Sequence, residues 1–165
     1  MACAFNLEKG ELWKLLLGLF LVGFTYLWHI NTPVLWGDEA GTAVFSRNVI
    51  KEGVPVGFDG RNLAVFGNCA SVSQDLLSRK IPWVQYYIGS LSILLFGQST
   101  MGVRLLFVLI GICSFFPLYL VLKKESNHAA LITTLVLLSP QVVMFQRNAR
   151  YYPIVILLFS LLLWT

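Results

Sequence analysis

The run VRLLFVLIGICSFFPLYLVL, residues 103–122, is twenty residues long and has no charged residue in its middle. A helix needs about 20 apolar residues to cross the hydrocarbon core of a bilayer. Lys123 and Lys124 follow directly, where the end of such a helix meets the membrane surface. We predict that this run is a transmembrane helix.

The composition also indicates a membrane protein. Hydrophobic residues make up 57% of the chain and charged residues 12%, whereas a soluble domain carries about 25% charged residues. The mean hydropathy is +0.74. The net charge of +4 is scattered singly, which argues against a nucleic-acid partner. The three cysteines have no metal-ligand spacing, so we assign no metal and no certain cofactor, and a divalent cation is not assignable.

Three further apolar runs predict the rest of a helical bundle. Residues 12–30 are apolar apart from Lys14, whose long stem can carry its charge to the membrane surface, and His29. A cleaved signal peptide is the alternative, but small residues are missing before a cleavage site, so an uncleaved helix is favoured. Residues 129–145 predict another span. Residues 154–165 are too short to cross unless the chain continues, so we expect the sequence to be part of a longer polypeptide.

Residues 81–97 leave the topology open. The run has 17 residues, with Pro82 near its start and three aromatic residues at one end, which is typical of a short span or of a helix at the membrane surface. If it crosses, Lys123 shares a side of the membrane with Asp38. If it lies flat on the membrane, Arg147 and Arg150 are on the same side as Asp38, and Lys123 is on the other side. The positive-inside rule counts four basic residues inside under either arrangement and does not decide.

Two adjacent carboxylates lie just beyond the first span, in the stretch WGDEAGTA at residues 36–43. Residues 40–53 have the pattern of a short amphipathic helix that stops at Gly53. Asp38 would suit the N-cap of that helix, and Glu39 its first turn, where the helix dipole favours an acidic residue. On the residues alone, this capping role competes with a catalytic one.

The order of these features resembles the N-terminal third of the GT-C glycosyltransferases, which include protein O-mannosyltransferases and bacterial aminoarabinose transferases. The features are a first span, WGDEA with its amphipathic helix, RKIPWVQYYIGSLSILLFG, the span ending in KK, HAALITTLVLLSP and QRNARYYP, and they cover nearly all 165 residues. The resemblance implies that residues 32–102 form an extracytoplasmic loop with juxtamembrane helices and that residues 81–97 lie flat.

The resemblance therefore implies an all-α, polytopic transmembrane bundle, with residues 1–165 as the N-terminal part of a GT-C-like domain. Its spans would be residues 12–30, 103–122, 129–145 and, incompletely, 154–165. The N-terminus would be cytoplasmic, in the plasma membrane of a bacterium or archaeon.

Transfer of a sugar from a polyprenyl phosphate needs a base for the acceptor hydroxyl and cations for the leaving phosphate. The resemblance assigns Asp38 as the base and Glu39 as a second catalytic residue. The substrate-binding residues would be Lys80, Arg147, Arg150, Tyr151 and Tyr152. Tyr152 stands where relatives often carry a second acidic residue, so we assign no metal site between the two loops. The reaction would invert the sugar carbon if the acceptor attacks opposite the phosphate.

Simpler interpretations exist for the same residues. Arg147 and Arg150 would also suit interfacial anchors, with Tyr151 and Tyr152 in an aromatic belt. The chain would then be a non-catalytic scaffold subunit, which is favoured if Asp38 lies far from both arginines. A transporter is disfavoured because no charge lies in the middle of a span. The expected partners are the bilayer, a polyprenyl-phosphate sugar donor, an acceptor of unknown identity, and the rest of the polypeptide or a partner subunit.

Overall fold

The structure, a computed structural model, describes residues 9–64, 74–79 and 81–165. Within these ranges every regular element is an α-helix, as the sequence predicts. The helices are α1 Lys9–Leu27, α2 Gly37–Glu52, α3 Val84–Phe96, α4 Thr100–Cys113, α5 Phe115–Lys123, α6 Ala129–Leu137, α7 Pro140–Gln146 and α8 Tyr152–Trp164. The described part of the segment between α2 and α3 contains isolated β-bridges, Val56 with Leu77 and Phe58 with Leu63.

Two helical segments are long and apolar enough to cross a membrane, which indicates a membrane-associated protein. One is α1, through Gly10–Leu27, and the other is the 24-residue segment Thr100–Lys123, in which α4 continues into α5. The two helices meet at Ser114. Pro117 lacks the N–H that would bond to the carbonyl four residues back, and this accounts for the interruption there.

The sequence predicts a span at residues 129–145, and in the structure this segment is divided into α6 and α7, which are bent by 69° relative to each other. The bend falls at Ser139, whose ψ of 138° is extended, and Pro140 is the first residue of α7. A residue that precedes proline is pushed away from helical backbone angles. The pair makes a third crossing only if the two helices form one broken span.

Helices α3 and α8 have 13 residues each. At 1.5 Å per residue such a helix is about 20 Å long, shorter than the hydrocarbon core of about 30 Å. For α3 this length is compatible with the predicted position at the membrane surface.

The bundle packs around a core between α1, α4, α5 and α6. Its largest buried side chains include Tyr26, Phe115 and Leu137, and the Tyr26 hydroxyl donates a hydrogen bond to the Leu137 carbonyl oxygen at 2.9 Å. Many apolar side chains point away from this core, such as Phe20 on α1 and Leu135 on α6, both more than half exposed. An apolar outer surface of this kind is what lipid would cover in a membrane protein.

The amphipathic helix predicted from residue 40 is present as α2, which begins three residues earlier than expected. It ends as predicted at Gly53, which adopts a left-handed conformation with φ of 76°. α2 packs on α3, and α3 packs on α4. Phe45 of α2 and Tyr86 of α3 are fully buried in this layer, with ring centroids 5.0 Å apart.

Gly18 allows α1 and α6 to approach closely, and this gives a stability prediction. A Cβ at position 18 would overlap the Thr134 hydroxyl oxygen, which is held by its hydrogen bond to the Ala130 carbonyl. We expect Gly18→Ala to lower the free energy of unfolding in detergent by about 1–3 kcal/mol, as overpacking does.

Gly10→Ala is the matched control, since a Cβ at Gly10 meets nothing within 4 Å. Combining Gly18→Ala with Thr134→Ala should restore most of the stability. A double variant as unstable as the single one would contradict the proposed overlap.

Candidate functional site

Asp38 lies near the start of α2, where the chain enters the loop beyond the first span. The N-cap of α2 is Trp36, whose own side chain makes no capping hydrogen bond. The interpretation of Asp38 as the N-cap is therefore wrong. Its side chain is 42% exposed and contacts Arg150, with Nη1 of Arg150 3.0 Å from Oδ2 of Asp38.

Arg150 is nearly buried, with 8% of its side chain exposed. Its Nη1 contacts Asp38 as an ion pair but is not aligned as a hydrogen-bond donor, and neither Nη1 nor Nε has a hydrogen-bond acceptor in the described part of the chain. The guanidinium lies over the Tyr151 ring, 5.5 Å from its centroid. Arg150 is thus a buried cation with unused donors beside a partly exposed carboxylate.

The rings of Tyr151 and Tyr152 pack against each other next to the ion pair of Asp38 and Arg150. Their ring centroids are 4.5 Å apart, and the Tyr152 ring also packs against that of Phe145 with centroids 4.6 Å apart, the rings of both pairs being tilted to each other. The hydrogen bond with Tyr151, together with burial, raises the pKa of the Tyr152 phenol above its usual range. The Tyr152 phenol therefore stays protonated at neutral pH and acts as a hydrogen-bonding group.

Glu39 sits one residue further along α2, but its surroundings differ from those of Asp38. It is fully buried. Oε1 accepts hydrogen bonds from Arg104 Nε and from the Ala149 backbone N–H, both at 2.9 Å, and Oε2 accepts one from Arg104 Nη2 at 2.6 Å. No surface of Glu39 is left for a substrate to reach.

Arg104, near the start of α4, was not among the predicted site residues. Besides Glu39 it binds backbone oxygens of the turn after α1, with Nη1 donating to Ile30 at 3.0 Å and Pro33 at 2.8 Å. The signal in the sequence was a lone arginine at the second position of an apolar span. A charge there requires a partner. What the sequence does not provide is the identity of that partner.

Arg147 lies on the same end of the bundle. Its Nη2 donates to the Trp28 carbonyl oxygen at 2.5 Å. Burial lowers the pKa of its guanidinium, and the positive charge of Arg104 lowers it further, although an arginine remains charged in proteins. Arg147 and Arg104 line a cleft of about 150 Å³ together with Ile30, Pro33, Met144 and Asn148. In the described part of the chain Arg147 forms no ion pair with a carboxylate.

The predicted site residues therefore come together in part. Asp38, Glu39, Arg147, Arg150 and the two tyrosines lie at one end of the bundle, and Lys80 falls outside the described residues. At the opposite end, Lys123 forms an ion pair with Glu11. If residues 81–97 do not cross the membrane, Asp38 and Arg150 lie on one side of it. Lys123 then lies on the other side, with the start of α1.

In the described ranges, no three His, Cys, Asp or Glu residues lie close enough together to hold a metal ion. The described groups at this end of the bundle that can take part in chemistry include the Asp38 carboxylate, the Arg150 guanidinium and the two tyrosine hydroxyls. No family model, curated protein or solved structure matches the chain.

Proposed function

We propose that the chain is the N-terminal part of a GT-C type membrane glycosyltransferase. It would move a sugar, with inversion, from a polyprenyl phosphate to an acceptor on the extracytoplasmic side of a bacterial or archaeal plasma membrane. The end of the bundle that carries Asp38 would face that side. The end that carries Glu11 and Lys123 would be cytoplasmic, together with the N-terminus.

The observation that carries this proposal is the pairing of Asp38 with Arg150. Nη1 and Nε of Arg150 are buried without aligned acceptors in the described residues, so a phosphate that gained access to them from the exposed Asp38 side would break no aligned hydrogen bond. Phosphate matches arginine well, because two parallel N–H groups can bind two of its oxygens. Asp38 beside it is exposed enough to meet an acceptor hydroxyl.

The proposed chemistry uses these two groups for different atoms. The acceptor oxygen attacks the sugar carbon while its proton passes to Asp38 as general base. The bond between that carbon and the phosphate oxygen breaks, and its electron pair leaves with the phosphate. Arg150 stabilises the growing negative charge in a partly dry site, where such stabilisation is strongest. Arg147, with no carboxylate partner in the described residues, adds positive charge nearby.

Glu39 takes a different role in this proposal from the one its sequence position implies. A carboxylate that is fully buried and accepts three hydrogen bonds has no route to the acceptor. We assign it as a positioning residue that fixes the start of α2, and hence Asp38, relative to α4 and Ala149.

The alternative is a non-catalytic scaffold subunit, and one observation favours it. Both carboxylates join distant segments of the chain, since Asp38 reaches Arg150 and Glu39 reaches Arg104. A purely structural network would do the same. The two functions differ in whether the arginine donors are needed for binding phosphate.

Binding of the donor lipid tests the proposal. Arg150→Gln is expected to weaken binding of a radiolabelled polyprenyl phosphate by about tenfold to a hundredfold, the approximate contribution of one or two hydrogen bonds between charged groups. Arg61→Gln is the control, because it removes the same charge from an exposed loop residue. Equal binding by the two variants would favour the scaffold.

A further inference from the structure

A narrow groove runs between α1 and α6 at the end of the bundle opposite Asp38. It has a volume of about 240 Å³, and its walls include Leu17, Leu21 and Leu131, with Glu11, Lys14 and His128 toward its mouth. The proposed glycosyltransferase activity uses none of these residues. The three leucines are 38–59% exposed, so the groove opens to the outside of the bundle.

The mouth of the groove carries an unbalanced positive charge. The Glu11 carboxylate is already held by Lys123, whose Nζ contacts both of its oxygens. Lys14 is exposed and forms no ion pair in the described part of the chain. The His128 imidazole, also exposed, adds an N–H donor at the same mouth. A negatively charged group would therefore be attracted to this position.

The volume of the groove and its extent along α1 fit a slender apolar chain. From Glu11 to Leu21 the α1 axis advances about 15 Å, all of it inside the segment that can cross a membrane. The volume lies below the range of about 300–1,000 Å³ typical of pockets for drug-sized ligands. An apolar groove that starts at a cation near the membrane surface has the charge and shape of a phospholipid, with its phosphate outside and one acyl chain inside.

We propose that this groove binds an anionic phospholipid, with the phosphate against Lys14 and His128 and one acyl chain along Leu17, Leu21 and Leu131. The site gives a reason for Lys14, the third residue of the apolar run 12–30. It is separate from the Asp38 end, and it stands or falls independently of the proposed glycosyltransferase activity.

Native mass spectrometry of the whole chain in detergent, with added phosphatidylglycerol or phosphatidylcholine, tests this site. We expect more retention of phosphatidylglycerol than of phosphatidylcholine. Lys14→Gln should lower phosphatidylglycerol retention about fivefold, the approximate contribution of one lysine at an anionic lipid surface. Lys124→Gln, which removes the same charge at the same end but outside the groove, should retain as much as the wild type.

A second pair of variants tests the acyl chain. Leu131→Trp should fill the groove and reduce retention of both lipids, whereas Leu135→Trp, one turn further along α6 and outside the groove, should not. Circular dichroism and gel filtration check that both variants fold. Equal retention of the two lipids by the wild type, equal effects of the two lysine variants, or equal effects of the two tryptophan variants would overturn the proposal. Competition by inorganic phosphate alone that abolishes retention would show a free-phosphate site instead.

Discussion

Asp38→Asn in the complete polypeptide is expected to lower sugar transfer from a polyprenyl phosphate about a hundredfold or more, the usual contribution of a general base. Asparagine keeps the size of the side chain but cannot accept a proton at working pH. Asp38→Glu keeps a carboxylate and should retain more activity than Asp38→Asn. Turnover at equal protein amounts in proteoliposomes is the measurement.

Two controls separate catalysis from stability. Glu52→Gln removes one negative charge from the exposed far end of α2 and should leave turnover unchanged. Asp38→Asn also removes the counter-ion of the nearly buried Arg150, so the melting temperature of each variant is measured beside its turnover, and turnover is compared at a temperature at which every variant is folded. Wild-type turnover in Asp38→Asn would remove the catalytic assignment and leave Asp38 with only its ion pair.

The second large effect concerns the pair of Glu39 and Arg104. Glu39→Gln leaves a nearly buried guanidinium without its counter-ion, and such losses cost about 3–5 kcal/mol. We expect a corresponding fall in the free energy of unfolding in detergent. Arg104→Gln should cost at least as much, because it also leaves the carbonyls of Ile30 and Pro33 without donors.

The double variant provides the decisive comparison for this pair. If the two groups act on each other, Glu39→Gln with Arg104→Gln should be less destabilised than the sum of the single variants, by at least about 1 kcal/mol. Glu11→Gln is the matched control, since its ion pair with Lys123 also joins two helices but is more exposed and should cost about 1 kcal/mol or less. Strict additivity would contradict direct coupling.

The helices were predictable from sequence because their signals are local. Apolar runs of about 20 residues indicate spans, and Gly53 marks the end of α2. The bend between α6 and α7 was missed although Pro140 was visible, because the run of residues 129–145 has no charged residue and its length favours a single span. The cost of a proline in an apolar run depends on what the neighbouring helices offer to the freed carbonyls.

The site residues were predictable only where a charged side chain stands close to the end of an apolar run. Asp38 and Arg150 could be selected as charges near helix ends, and they do lie in contact. The different surroundings of Asp38 and its neighbour Glu39 could not be predicted from the sequence. Successive residues of a helix are rotated by about 100°, which turns one side chain outward and the next into the protein. The contact between Glu39 and Ala149 involves a backbone N–H, which no side-chain pattern reports.

The hydrogen bonds of Glu39 impose an order on biosynthesis. Arg104 is made 65 residues after Glu39, and Ala149 is made 110 residues after it. A nascent chain emerges from its N-terminus onward, so α2 leaves the ribosome with an uncompensated carboxylate that favours water over a dry interior. That carboxylate can be buried only after α4 has delivered its arginine and the turn after α7 has formed. The start of α2, which carries Asp38, is therefore expected to reach its final position only after residues 104 and 149 have been synthesised.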